Sequence, residues 1–181
     1  MARTPSNMLP LGTKSPSFSL QDTVSGQTLS LDQIYGKEGT VVMFICNHCP
    51  FVKHVFTGIV DLANDYQDKG VAFVAISSND VENYPDDAPE LMTEVAAEKN
   101  FPFPYLFDED QNFARKLKAA CTPDFYLFSH KVNTNFSLFY HGQLDESRPS
   151  NNLEVNGEDL RLAINAMIEK KEYTRNQIPS L

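Results

Sequence analysis

The arrangement of apolar and polar residues predicts strands and helices that alternate along the chain. Residues 40–45 and 71–76 are continuous apolar runs rich in β-branched residues, which is typical of strands buried on both faces of a sheet. Between them, apolar residues recur at helical spacing from Pro50 onward, and Lys69-Gly70 is a typical helix end. The order strand, helix, strand predicts a βαβ unit with a parallel strand pair.

Shorter predicted elements flank this unit. Residues 18–20 and 28–31 alternate around a Gly-containing turn and predict an N-terminal β-hairpin. The others are a helix from Pro89 ending at Asn100, an extended segment over 101–107, a helix over 111–120, strands over 124–128 and 136–140 with a turn near 131–133, and an amphipathic helix carrying Leu160, Ala163, Ile164, Met167 and Ile168. Together they predict an α/β fold with a central mixed sheet, helices on both faces and an antiparallel edge.

Length and composition indicate one folded domain. The chain has 181 residues, of which 41% are hydrophobic and 22% charged, which suits a single domain with a substantial core. Residues 1–16 contain Pro, Ser, Gly and Asn without periodicity and are predicted to form a flexible arm. Residues 17–181 are predicted to form the domain.

The charge of the chain limits its expected partners. A formal net charge of -9 disfavours binding to nucleic acid or anionic membranes, and no cluster of Lys and Arg offsets it. No apolar run approaches the length of a membrane span, and residues 1–11 lack the apolar core of a secretory signal. We therefore expect a cytoplasmic protein with neither nucleic-acid nor membrane partners. In that compartment a close cysteine pair indicates catalysis or metal binding rather than a structural disulfide.

Cys46-Asn47-His48-Cys49 lies between the first buried strand and the helix that follows it. Two cysteines three residues apart at a helix start can come within disulfide distance, and the helix N-terminus favours a thiolate. One thiolate can then attack a disulfide while the other cysteine resolves the mixed disulfide. The motif predicts a redox-active pair, with His48 adding to thiolate stabilisation when protonated.

Two other interpretations of this motif stay open. The cysteines can be unreactive residues at a helix start, or they can bind zinc together with His48 or the distant Cys121. Zinc normally takes four ligands, and the sequence contains no second close cysteine pair. We therefore predict neither a metal nor another cofactor.

The position of Pro50 bears on which sulfur attacks. If the helix began at Cys46, Pro50 could not donate a hydrogen bond to the Cys46 carbonyl. If Pro50 is the first helical residue, Cys49 becomes the N-cap and its thiolate is the better stabilised. Because Cys46 comes first after the strand, we expect it to be the more exposed cysteine and the attacking one. The opposite order stays open.

Several segments, in this order, resemble the peroxiredoxin-like branch of the AhpC/TSA group in the thioredoxin superfamily. They are residues 18–31, the strand entering Cys46-Asn47-His48-Cys49-Pro50, and residues 75–80, 101–108, 121–125 and 145–149. The resemblance implies a thioredoxin-like fold in which Thr122-Pro123 forms a cis-proline loop that faces the cysteine pair and binds substrate. In such relatives a segment like 176–181 is followed by a Gly-Cys tail, so the resemblance implies that the tail of this chain is shortened or has lost its cysteine.

The motif also departs from that of true peroxiredoxins, which have Thr or Ser three residues before the attacking cysteine. Here those positions hold Cys46 or Met43. We therefore expect a thiol–disulfide oxidoreductase with an antioxidant or redox role. Its partners would be a disulfide-bearing protein or a small thiol or disulfide, together with an unidentified reductant. A thiol peroxidase acting on hydroperoxides and a non-catalytic redox-sensing or binding module are the alternatives.

Further candidate residues lie outside the motif. Cys121 is either a third redox cysteine or a small buried residue. Arg148 either faces the site and binds an anion or ties its own loop to Asp145. The histidines His54, His130 and His141 are assigned surface or packing roles, and the acidic residues Asp80, Glu82, Asp86 and Asp87 are predicted to form a solvated loop.

Overall fold

The predicted βαβ unit lies at the centre of a seven-stranded sheet in the computed structural model, which describes residues 4–131 and 134–181. The strands are β1 (Ser19–Asp22), β2 (Thr28–Ser30), β3 (Gly39–Phe44), β4 (Val71–Ser77), β5 (Tyr105–Phe107), β6 (Asp124–Lys131) and β7 (Thr134–Gly142). Their order across the sheet is β2-β1-β5-β4-β3-β6-β7. The pairs β3–β4 and β4–β5 are parallel and the other pairs are antiparallel, so the predicted mixed sheet and N-terminal hairpin are confirmed.

Helices cover both faces of this sheet. They are α1 (Leu31–Ile34), α2 (Pro50–Tyr66), α3 (Pro89–Glu98), α4 (Asn112–Leu117) and α5 (Glu158–Ile168). Alternate side chains of β3 enter two cores: Val41 and Met43 pack with α2, α3 and α5, whereas Val42 and Phe44 pack with α1 and α4. Each fully buried side chain of this size stabilises the fold by about 1.5–3 kcal/mol. The central strands are therefore held rigidly from both sides.

Helix α2 begins where its sequence requires. Pro50 is its first residue and Cys49, in an extended conformation, is its N-cap. Between Val52 and Tyr66 the buried residues recur at three- and four-residue spacing, so one face of the helix packs on the sheet. The helix runs into a short 3₁₀ turn that ends at Gly70, whose φ of 82° favours glycine. Of the two starts considered from the sequence, the structure has the one in which Cys49 is the N-cap.

The outer elements differ from the predictions mainly in their limits. The extended segment predicted over 101–107 is a strand only over Tyr105–Phe107. The helix predicted over 111–120 ends at Leu117, because Lys118 adopts a left-handed conformation with φ 53°. The turn predicted near 131–133 includes residues 132–133, which lie outside the described residues. Within the described part of the chain, no helix is both long and apolar enough to cross a membrane.

The N-terminal segment lies against the last strand. The Gly12 N–H donates to the Leu138 carbonyl at 2.8 Å, and the Leu138 N–H donates to the Thr13 carbonyl at 2.8 Å. Nearer the chain start, the Ser6 N–H donates to the Ser180 carbonyl at 3.0 Å. The predicted arm is thus hydrogen-bonded to the domain over these residues, while its flexibility and the domain limits stay predictions.

Candidate active site

The two motif cysteines lie at different depths between β3 and α2. Cys46 is fully buried with 0% exposure, whereas Cys49 is partly exposed, and both are free thiols. Burial of Cys46 follows from the preceding residue, since the Ile45 N–H still donates to the Ile76 carbonyl at 3.0 Å and carries the strand direction into the core. The prediction that Cys46 is the more exposed cysteine is therefore wrong.

The surroundings of the two sulfurs favour a thiolate at Cys49. The pKa of Cys49 is lowered to about 5, first by a hydrogen bond from the Cys46 thiol and then by the backbone N–H groups of Val52 and Phe51, against the opposing effect of burial. The same hydrogen bond and burial raise the pKa of Cys46, as does the charge of Asp87. Both shifts favour the negative charge on Cys49 and the proton on Cys46.

Thr122 contacts both sulfurs. Its hydroxyl oxygen lies 3.2 Å from Cys46 Sγ, and its carbonyl oxygen lies 3.4 Å from Cys49 Sγ. The Thr122-Pro123 peptide bond is cis, which matches the expectation from the resemblance. The structure thus brings this loop against the cysteine pair.

Asp87 is a buried carboxylate beneath the motif, a position that the sequence does not reveal. Its Oδ1 accepts the N–H of Asn47 at 2.7 Å and the N–H of His48 at 3.2 Å, and its Oδ2 accepts the side-chain amide of Asn79 at 2.7 Å. The exposed fraction of Asp87 is 0%, so the prediction that it belongs to a solvated loop is wrong. The 3₁₀ helix Pro85–Asp87 turns this side chain inward, while the neighbouring Asp86 stays exposed.

The side chains of the two residues between the cysteines make different contacts. His48 Nδ1 lies 2.6 Å from Asp87 Oδ2, and the imidazole stacks on the ring of Tyr84 with 4.7 Å between centroids and 8° between planes. Asn47 donates from its side-chain amide to the Asp86 carbonyl at 2.9 Å and accepts the Tyr105 hydroxyl at 3.1 Å. These contacts fix the direction in which the motif leaves the strand.

One grouping of possible metal ligands includes the motif. Cys46, His48 and Asp87 each place one ligand atom within 4.8 Å of the others. His48 and Asp87 are already hydrogen-bonded to each other, and the carboxylate also accepts backbone N–H groups. A bound cation would have to displace these contacts and find a fourth ligand.

Cys49 opens onto a cavity of about 480 Å³. The side chains around it include His48, Tyr84, Arg115, Cys121 and Thr122. This volume lies within the range of small-molecule sites, and the cavity gives a ligand direct access to Cys49 rather than to Cys46.

Cys121 lies on the same cavity. Its sulfur is 3.7 Å from Ser6 Oγ and 3.8 Å from the Pro123 carbonyl oxygen. Burial, followed by the charge of Asp124, raises the pKa of Cys121 to about 12. Cys121 is therefore a much weaker nucleophile than Cys49 at neutral pH, although it lies beside the site.

Arg148 does not line this cavity. Its guanidinium donates to the carbonyls of Asp145 at 2.8 Å and Ser147 at 2.6 Å, and to the side-chain oxygen of Gln143. It lines a separate small cavity together with His54 and Pro123. Of the two predicted roles, the structure has the one in which Arg148 ties its own loop, through the Asp145 carbonyl rather than the carboxylate.

A second buried polar group lies behind the cis-proline loop. Asp124 accepts the Ser6 hydroxyl at 2.7 Å and the Tyr126 hydroxyl at 2.8 Å, and its Oδ1 lies 3.1 Å from His141 Nε2. Because the Leu9 N–H donates to His141 Nδ1 at 3.1 Å, we assign the imidazole proton to Nε2, which donates to Asp124. His141 thus joins the N-terminal segment to β6 and β7.

Solved structures from two bacteria are similar to this chain over nearly its whole length. An uncharacterized conserved protein from Geobacillus kaustophilus is 50% identical, with 99% of this chain and 93% of the other covered and a TM-score of 0.95. A hypothetical protein from Sinorhizobium meliloti 1021 is 37% identical, with 99% and 95% covered and a TM-score of 0.93.

More distant similarity identifies the fold. A secreted Mycobacterium tuberculosis disulfide oxidoreductase is 17% identical, with 82% of this chain and 95% of the other covered and a TM-score of 0.59. This confirms the thioredoxin-like fold. No match was found among curated proteins. The model of the AhpC/TSA family matches residues 11–136, more than half of the chain, and the chain therefore belongs to the AhpC/TSA family.

Proposed function

We propose that the protein is a thiol–disulfide oxidoreductase in which Cys49 attacks and Cys46 resolves. The observation that carries this proposal is the contrast between the two sulfurs. Cys49 is the N-cap of α2, opens onto the cavity and has a pKa lowered to about 5, whereas Cys46 is fully buried and has a raised pKa. A nucleophile must be both ionised and accessible, and Cys49 meets both conditions.

The reaction runs in two exchanges. The Cys49 thiolate attacks one sulfur of a disulfide, the substrate S–S bond breaks, and the released thiolate takes up a proton. The product is a mixed disulfide between Cys49 and the other half of the substrate. Cys46 then loses its proton and attacks Cys49 Sγ, which releases the second substrate half as a thiol. The protein gives up two electrons and ends with a Cys46–Cys49 disulfide.

Thr122 supports the second exchange. Its hydroxyl, 3.2 Å from Cys46 Sγ, favours the thiolate of Cys46 against the effects of burial and of the neighbouring sulfur. The resolving sulfur therefore has a hydrogen-bond partner at the moment when it must ionise. A separate reductant, either a small thiol or the dithiol of another protein, would return the Cys46–Cys49 pair to its reduced form.

Peroxide reduction is a second candidate function, favoured by one specific observation. An ionised, accessible cysteine directly before a helix-starting proline is also suited to attack a peroxide oxygen. That attack would break the O–O bond, form a sulfenic acid on Cys49 and release hydroxide or an alkoxide. Condensation with the Cys46 thiol would then release water and form the same Cys46–Cys49 disulfide.

The test compares how fast a disulfide and a peroxide oxidise the reduced protein. The protein is mixed with either oxidised glutathione or hydrogen peroxide, quenched with acid, alkylated and analysed by mass spectrometry. We expect a Cys46–Cys49 disulfide with oxidised glutathione, forming faster than with peroxide at equal concentration. Faster oxidation by peroxide would favour the peroxidase, and absence of the disulfide with either oxidant would contradict both functions.

A further inference from the structure

The cavity beside Cys49 differs in charge from the rest of the protein. The chain contains 24 acidic and 15 basic residues. Among the described residues that line the cavity, however, there is no Asp or Glu, while Arg115 and His48 are present. Asp87 lies behind His48 and is fully buried under its hydrogen bonds. The opening to Cys49 is therefore a region that an anion can enter in an otherwise acidic protein.

Arg115 supplies the cation, and the described residues offer it only neutral partners. Its guanidinium donates to the Asp110 carbonyl at 2.7 Å and to the side-chain oxygens of Asn112 and Gln111, both at 3.3 Å. The carboxylate of Asp110 instead accepts the backbone and side-chain N–H groups of Asn112. The charge of Arg115 is thus held at the cavity without a carboxylate in ion-pair contact among the described residues.

Another arginine on a helix shows the usual arrangement. Arg161 contacts the Asp65 carboxylate at 2.6 Å, and its charge is neutralised within the chain. Arg115 is more exposed to solvent than Arg161, and it borders the cavity that contains the nucleophile. The charge of Arg115 is therefore available to a molecule that binds in the cavity.

The size of the cavity limits that molecule. A volume of about 480 Å³ suits a compound of small-molecule size. Segments from both ends of the described chain, through Thr4 and Leu181, contribute to its walls. The site is therefore a hollow with apolar and polar walls, in which Arg115 supplies a cation and Cys49 a thiolate.

We propose that the cavity takes a low-molecular-weight disulfide that carries a carboxylate, with Arg115 pairing the carboxylate while Cys49 attacks the sulfur. This rests on the proposed function. Attack forms a mixed disulfide between Cys49 and one substrate half, and the other half leaves as a carboxylate-bearing thiolate that takes a proton from water. Cys46 then resolves the mixed disulfide, so the dithiol of the protein supplies both electrons.

The test measures oxidation of the reduced full chain by two probe disulfides. Oxidised glutathione carries carboxylates, and bis(2-hydroxyethyl) disulfide is neutral. The readout is the rate of oxidation by oxidised glutathione divided by the rate of oxidation by bis(2-hydroxyethyl) disulfide. This ratio is then divided by the same ratio for free dithiothreitol, so that the intrinsic reactivity of the two disulfides cancels. Arg115→Gln should lower this ratio about two- to fivefold, the effect expected of one solvent-exposed ion pair. Arg115→Lys, which keeps the charge, should restore most of it.

Lys116→Gln is the matched control, because Lys116 is an exposed cation on the same helix that does not line the cavity. It should leave the ratio at the wild-type value, and added salt should reduce the wild-type preference by screening. An equal ratio in the wild type and Arg115→Gln would overturn the inference even if both disulfides oxidise the protein. If neither disulfide produces the Cys46–Cys49 bond, the proposed function itself fails.

Discussion

The carboxylate of Asp87 binds the imidazole of His48, with 2.6 Å between Asp87 Oδ2 and His48 Nδ1. The same carboxylate accepts the backbone N–H groups of Asn47 and His48 through its other oxygen. A single buried side chain thereby fixes both residues between the cysteines. Since the direction of this short segment decides which sulfur reaches the cavity, Asp87 is a positioning residue for the pair.

Replacing Asp87 with Asn should loosen the motif. The amide nitrogen would face N–H donors where the carboxylate now accepts, so we expect a loss of about 1–3 kcal/mol in the free energy of unfolding. The rate of Cys49 alkylation should change with it. Urea unfolding followed by circular dichroism, together with alkylation kinetics, measures both effects.

Asp86→Asn is the control for that variant. Asp86 precedes Asp87 but is exposed and contacts Asn47 through its backbone carbonyl only. The Asp86→Asn variant should therefore have a free energy of unfolding and a rate of Cys49 alkylation close to those of the wild type. Equal behaviour of the two variants would contradict the positioning role of Asp87.

The sequence was sufficient to predict the centre of the fold. Two continuous apolar runs around a helical pattern determine β3, α2 and β4, because only strands buried on both faces and a helix packed on the sheet satisfy them. The helix starts at Pro50, which is one of the two starts that the sequence left open. These features depend on neighbouring residues along the chain, which is why they can be predicted without the tertiary structure.

The depth of the site could not be predicted in the same way. The exposures of Cys46 and Cys49 depend on how far the chain follows β4 before it turns, which is set by the Ile45–Ile76 hydrogen bond. Likewise, nothing local distinguishes Asp87 from Asp86, since only the path of the 3₁₀ helix buries one and exposes the other. Both errors concern contacts between distant segments.

Alkylation of the reduced protein should report the lowered pKa of Cys49. The rate at Cys49 should rise as pH increases through about 5 and then level off, because the thiolate is by then fully formed. Cys121, whose pKa is raised to about 12, should react slowly and still be accelerating at alkaline pH. Mass spectrometry of peptides after timed iodoacetamide labelling separates the sites. A Cys49 rate that rises only above pH 8 would contradict this.

The lowered pKa of Cys49 should also make the stability of the reduced protein depend on pH. Cys49 has a folded pKa of about 5 and an unperturbed pKa of 9.0, so between these values the unfolded chain holds a proton that the folded chain has released. The stabilisation from Cys49 should therefore grow as pH rises from about 5 to 9 and disappear as pH falls through about 5. Cys49→Ser should lack this component in urea unfolding at pH 5 and pH 8, and an identical pH dependence in the two proteins would refute the shift.

His141→Leu tests the buried group behind the cis-proline loop. The substitution removes the donor to Asp124 and the acceptor of the Leu9 N–H, so it should cost about 2–4 kcal/mol in the free energy of unfolding. His130→Leu, at a partly exposed position near the other end of β6, should cost less than about 1 kcal/mol. Thermal and urea unfolding measure both, and similar losses would argue against a structural role for the Asp124–His141 contact.

The central claim is that Cys49 attacks and Cys46 resolves, and trapping of the intermediate tests it most directly. Reduced Cys46→Ser and Cys49→Ser proteins are each treated with oxidised glutathione, quenched with acid and analysed by intact-mass and peptide mass spectrometry. Cys46→Ser should accumulate a stable mixed disulfide between Cys49 and glutathione, because the resolving thiol of Cys46 is absent. Cys49→Ser should react slowly and leave Cys46 unmodified. Rapid trapping on Cys46 in the Cys49→Ser protein, with none on Cys49 in the Cys46→Ser protein, would contradict the account.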